Sequence, residues 1–96
     1  MTRPEVLTDA AVDAALADLP GWSREGAALV CELRFADFAG AFGFMATMAA
    51  VSERLDHHPE WTNVWNRVTV RLTTHDAGGI TPLDLEWARR ATSAAG

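Results

Sequence analysis

The chain has 96 residues, room for one domain and too few for two separate cores. Its 49% hydrophobic and 22% charged residues are those of a globular protein, and so short a chain buries only about 60% of its unfolded surface, which favours self-association. A formal charge of -5 gives no general attraction to nucleic acid or anionic lipid; the lone Cys31 closes no internal disulfide and residues 1–5 hold no apolar leader, so a reducing cytoplasm is the expected compartment.

Thr8 or Asp9 caps a first helix expected to run to about Leu19, with Val12, Leu16 and Leu19 on one face, until Pro20-Gly21 stops it. Residues 22–24 and 28–35 then flank Glu25-Gly26 as a hairpin. In its second strand Leu29, Cys31, Leu33 and Phe35 alternate with Val30, Glu32 and Arg34, the pattern of a half-buried strand. Asp37 caps a long second helix through Leu55, and its apolar run 38–51 falls short of the about 20 residues that span a bilayer. Phe38, Phe42, Met45 and Ala49 line one side of it, and Phe44, Met48, Val51 and Leu55 another. So wide an apolar face suits either a thick core or a strip left for another subunit. Pro59 is expected to end this helix by pushing His58 out of helical dihedrals.

Residues 61–74 are strand-like throughout, but one strand of about 14 residues would be about 46 Å long, too long for this domain. A reversal at Asn66-Arg67 is expected, because Asn tolerates the positive φ of a two-residue hairpin. That register pairs Trp65 with Val68 and Trp61 with Leu72, and brings His58 opposite His75. After the loop at 77–79, Thr81-Pro82-Leu83-Asp84 starts a third helix with a cap, a first-turn proline and a capping-box acid, and this helix ends near Ala91. The order predicts one α+β domain over residues 1–96: a four-stranded antiparallel sheet with three helices packed on one face, α-β-β-α-β-β-α.

All three histidines fall in the second half. Glu53 lies one helical turn before His57, where its carboxylate can accept from the imidazole and fix its tautomer, with Asp56 beside the pair. His75 joins from the far end of the hairpin. This inventory holds several proton carriers and no nucleophile. Cys31 takes a core-facing strand position, and Gly78-Gly79 is followed by Ile80-Thr81, with no lysine to meet a phosphate. Three imidazoles could hold zinc, but the side chains of adjacent histidines diverge, so no metal is expected. Taken singly these residues are ordinary: surface or capping histidines, a solvated Glu53, Asp84 as capping partner of Thr81, and Trp22, Trp61, Trp65 and Trp87 as core. Their convergence is what points to acid–base chemistry.

The run Glu53-Arg54-Leu55-Asp56-His57-His58-Pro59-Glu60-Trp61 continues through Asn63-Val64-Trp65-Asn66, residues 68–72 and Thr73-Thr74-His75 to Asp84. It resembles the signature of the pterin-4a-carbinolamine dehydratases, and Pro20-Gly21-Trp22 matches a turn of that family in the first half. The resemblance implies dehydration of 4a-hydroxytetrahydrobiopterin to quinonoid dihydrobiopterin, recycling the cofactor of aromatic amino-acid hydroxylases, with no cofactor or metal in the enzyme itself. It implies His57 and His75 as acid–base residues, His58 in substrate binding and proton handling, and Glu53, Asp56, Pro59, Trp61 and Thr74 as binding or orienting groups. It further implies a homodimer or homotetramer acting on a small pterin, with a functional link to such a hydroxylase. Two positions depart from frequent family choices. Trp65 stands where tyrosine is often found, so no hydroxyl acts there, and Ala77 stands where some relatives carry cysteine, so no thiol is needed. The competing expectation is a noncatalytic interaction module on the same fold, gripping a partner with the long helix.

Overall fold

Trp22, Cys31, Val70 and Trp61 stand directly opposite one another across four antiparallel strands, and this row organises the core. The computed structural model describes residues 4–96; residues 1–3, part of the opening expected to lack a leader, lie outside them. In chain order the elements are α1 (Asp9–Leu16), β1 (Trp22–Glu25), β2 (Ala28–Arg34), α2 (Phe38–Leu55), β3 (Glu60–Val64), β4 (Arg67–Leu72) and α3 (Pro82–Ala95), with strand order β1-β2-β4-β3. This is the expected α-β-β-α-β-β-α arrangement. Among the described residues no helix is long and apolar enough to cross a membrane.

Trp87 of α3 lies over the row. Trp22 and Trp61 meet it edge-on, with ring centroids 6.4 and 6.0 Å away, and the small Cys31 and Val70 between them leave space for a fully buried indole. Its Nε1 donates to Ser52 Oγ at 2.9 Å, and Ser52 donates onward to the Met48 carbonyl at 2.7 Å. The two helices are therefore joined by a satisfied polar link within an apolar core.

Caps form where the sequence places them: Thr8, Asp37 and Thr81 each accept a backbone N–H with the side chain. The ends differ more. α1 stops at Leu16 rather than Leu19, because residues 17–19 tighten into three-residue turns that still bring Leu19 into the core. α3 continues to Ala95, past Ala91. In the first hairpin Glu25 pairs with Ala28, so the turn is Gly26-Ala27 and not Glu25-Gly26; Gly26, at φ +59, supplies the left-handed residue.

The second hairpin departs in the other direction, turning one residue earlier than Asn66-Arg67. Val64 pairs with Arg67 across Trp65-Asn66, and Trp65 takes the positive φ of 50°. Asn66 is engaged elsewhere: its carbonyl accepts from Phe35 N–H at 2.8 Å and its side chain donates to the Phe35 carbonyl at 2.9 Å. Asn63 donates to the carbonyls of Trp65 and Arg67 and braces the turn from within. Trp61 consequently faces Val70 rather than Leu72, and His58 does not stand in register with His75.

Helix α2 ends before Pro59 acts on it. Asp56 adopts the left-handed conformation (φ 50, ψ 45), its N–H bonds the Glu53 carbonyl, and the His57 N–H bonds the Ser52 carbonyl at 3.0 Å. Along the same helix Phe44, Met48 and Val51 are buried, whereas Phe38 and Phe42 are 50% and 58% exposed with rings 5.9 Å apart. Half of the wide apolar face thus covers the sheet and half is left uncovered. Because a Cβ is disfavoured at the left-handed position, Asp56→Gly is expected to raise the unfolding free energy by about 0.5–1 kcal/mol in urea titrations; a loss of stability would show that the aspartate side chain itself supports the turn.

Candidate active site

The left-handed turn at Asp56 delivers two histidines in succession from the end of α2, and the buried carboxylate of Asp84 receives the first. As a capping-box acid Asp84 accepts the Thr81 N–H on Oδ2 at 2.9 Å, while Thr81 Oγ accepts the Leu83 N–H at 3.2 Å, as expected for a helix start. That role does not exhaust it. Oδ2 also accepts from Thr74 Oγ at 2.9 Å, which uses the one hydroxyl proton of Thr74, so Thr81 Oγ is the donor in its 2.8 Å bond to Thr74. Oδ1 accepts from His57 Nε2 at 2.5 Å. Asp84 is fully buried, and a carboxylate removed from water is tolerated only with such donors around it. With Nε2–H turned to the carboxylate, Nδ1 is the His57 nitrogen left to take a proton.

Helical spacing pairs Glu53 with His57; the structure pairs it with His58, whose Nε2 donates to Glu53 Oε2 at 2.6 Å. The helix has ended by then, and the left-handed residue takes the next two side chains off the helical lattice. His75 Nε2 stands 3.3 Å from Glu60 Oε1. Each imidazole therefore has a carboxylate at Nε2, supplied by α3, α2 and β3 in turn. The His58 and His75 pairs are exposed and add little to stability. The His57–Asp84 pair is buried, so removal of either partner strands the other.

His57, His58 and His75 line one open groove of about 1220 Å³, together with Asp56 and Thr74. Its remaining walls come from Pro4, Leu55, Thr73, Asp76 and the first two turns of α3 as far as Arg89. Glu53, Pro59 and Trp61 do not line it: Glu53 meets it through His58, and Trp61 is packed on Trp87. Trp65, 65% exposed, is at the opposite end of the β3–β4 hairpin rather than in the core. Cys31 is buried on the core side of β2, where burial foremost and then Glu32 push its thiol above the ordinary value, away from nucleophilic use. Among the described residues no three His, Cys, Asp or Glu side chains gather closely enough to hold a metal ion.

The second role of Asp84 was open to helical spacing. Asp84, Ala88 and Ala91 recur at four and three residues, which places the acid on the buried stripe of α3, and all three are fully buried. A buried acid needs donors beyond the cap, and a histidine elsewhere in the chain is a natural one.

The family model described as pterin 4 alpha carbinolamine dehydratase matches residues 5–94. A relative from Novosphingobium aromaticivorans, provisionally named a pterin-4-alpha-carbinolamine dehydratase, is 54% identical over 89 residues, 91% of this chain and 93% of its own. The crystal structure of a transcriptional coactivator/pterin dehydratase from Brucella melitensis matches with a TM-score of 0.94 at 45% identity, covering 96% of this chain and 100% of that one. A pterin dehydratase-like protein identified as a RuBisCO assembly factor in the alpha-carboxysome shares the fold, with a TM-score of 0.65 at 22% identity over 78% of this chain and 87% of that one.

Asp84→Ala leaves the Thr81 N–H, Thr74 hydroxyl and His57 Nε2–H without their acceptor, and is expected to lower the unfolding free energy by about 3–5 kcal/mol, with Asp84→Asn losing less. Small and equal losses in urea unfolding of both variants would remove the carboxylate from this junction.

Proposed function

The chain belongs to the pterin 4 alpha carbinolamine dehydratase family and is on that ground a hydro-lyase; we propose that it converts 4a-hydroxytetrahydrobiopterin to quinonoid dihydrobiopterin by general acid–base catalysis from its histidines. The observation that supports this reading is the meeting of His57, His58 and His75 in one groove, each with a carboxylate behind it to hold the ring. The chemistry asks for little else. A proton goes to the 4a hydroxyl oxygen as the C4a–O bond breaks, the N5 electron pair closes the C4a=N5 bond, and the N5 proton is taken away. Water leaves and no electrons are transferred to another molecule. Imidazole is the side chain suited to give and take protons near neutral pH, and each positioned transfer contributes about 10²–10⁴-fold.

In this reading His57 and His75 form the acid–base pair, and His58 binds substrate and handles protons. Asp56 and Thr74 border the substrate, Glu53 orients His58, and Pro59 with Trp61 sets the path of the chain from His58 into β3. Asp84 is a positioning residue, acting through His57 Nε2. After a two-electron reduction by a separate reductase, the product would serve again as the tetrahydropterin cofactor of an aromatic amino-acid hydroxylase in the cytoplasm. The uncovered face of α2, with Phe38 and Phe42 half-exposed, is assigned to the contact of a homodimer or homotetramer.

The purified protein is expected to speed the decay of the 4a-carbinolamine above its spontaneous rate. His57→Ala and His75→Ala should each lower turnover about 10²–10⁴-fold with the far-ultraviolet circular dichroism still that of a folded chain, although His57→Ala also loses unfolding free energy because it strands Asp84. No acceleration by the wild type would make the noncatalytic interaction module the better reading. For assembly, light scattering of Phe42→Glu is expected to give a smaller particle than the wild type, and an unchanged mass would move the contact off this face.

A further inference from the structure

Gly79 lacks a side chain for a reason that lies outside its own backbone. Gly78, at φ +83, occupies the left-handed region, but Gly79 does not, so a positive φ is not what requires glycine there. Space would not. A Cβ at Gly79 would stand 2.9 Å from Val6 Cγ1 and 3.4 Å from Cγ2, with Val6 Cβ at 3.8 Å. Val6 belongs to a strap, residues 4–8, that precedes α1 and lies on the loop between β4 and α3. The strap is pinned there by the Leu7 N–H, which donates to the Ile80 carbonyl at 2.8 Å, and it ends at Pro4 in the groove wall.

The other side of Gly79 belongs to the loop that carries His75. Gly79 and Thr74 exchange backbone bonds of 3.0 and 3.4 Å, and the Gly78 N–H bonds the carbonyls of Thr74 and His75. Thr74 in turn donates to Asp84. One α-carbon is thus shared by the strap and by the loop that presents a groove histidine. If a methyl group is added at Gly79, the strap yields before the loop, since the loop is closed by several backbone bonds, whereas the strap is held by the one Leu7 bond and the packing of the Leu7 side chain, with Val6 itself half-exposed.

We infer that the Val6–Gly79 contact is a positioning contact for the groove: the strap seats the His75 loop from outside and carries Pro4 into the wall, and Gly79 is the residue that lets it seat. For its effect on turnover this rests on the proposed dehydratase chemistry; for its effect on structure and pterin binding it does not.

Gly79→Ala, Val6→Ala and the double variant test it. Amide exchange at Leu7 and Thr74 is followed by NMR, and binding of tetrahydrobiopterin by quenching of tryptophan fluorescence, beside carbinolamine turnover and the circular dichroism. In Gly79→Ala, Leu7 is expected to exchange about tenfold faster and the tetrahydrobiopterin dissociation constant to rise about fivefold, with KM rising more than kcat falls and the fold intact. In the double variant the two Cβ atoms meet at 3.8 Å, an ordinary contact, so exchange and affinity should return to within about twofold of the wild type. Gly79→Ala with unchanged Leu7 exchange, or a double variant no better than Gly79→Ala, overturns the inference. An inactive wild type that keeps the exchange pattern would defeat the dehydratase reading and leave this contact standing.

Discussion

A carboxylate stripped of water needs donors around it, and Asp84 draws them from three places: the Thr81 backbone at the start of α3, the Thr74 hydroxyl beyond the end of β4, and the His57 ring beyond the end of α2. Thr74 and Thr81 flank one loop, whereas His57 comes from the far side of the β3–β4 hairpin. Their common acceptor is what sets the distances among them, and every polar group in the junction gains when it closes. The apolar side of the same helix pair is locked independently, by Trp87 donating to Ser52. Ser52 also lends its carbonyl to the His57 N–H, so the backbone and the ring of His57 are both anchored to the core.

The other two groove histidines are held differently. His58 and His75 lean on Glu53 and Glu60 at the surface, where ion pairs add little stability and side chains exchange partners easily. The groove thus combines one rigid imidazole with two adaptable ones. In the proposed reaction the rigid ring gives a fixed reference against the pterin, and the adaptable pair can follow a leaving water and a departing proton.

The parts legible in the sequence are those set by local chemistry. Asp37 and Thr81 cap helices because their side chains reach the adjacent N–H groups, and β2 alternates because only one of its faces meets the core. Local chemistry failed where a distant partner decides. Asn66 is the better turn former by propensity, but Phe35 claims both its carbonyl and its amide, and the positive φ falls on Trp65. Pro59 is a sound helix stop, yet the left-handed Asp56 acts first, and with that residue Glu53 passes from His57 to His58. The three histidines share a groove all the same, because the chain entering β3 and the chain leaving β4 both lie at the open end of the hairpin, beside the start of α3.

In the proposed reaction three imidazoles, with His57 oriented by Asp84, work as one site. Nitrogen-15 NMR of the histidine rings during titration with tetrahydrobiopterin tests it most directly. The expected spectrum has neutral His57 protonated on Nε2, and the signals of His57, His58 and His75 moving together along one binding curve. A His57 ring protonated on Nδ1, or a pterin that disturbs none of the three, would contradict it.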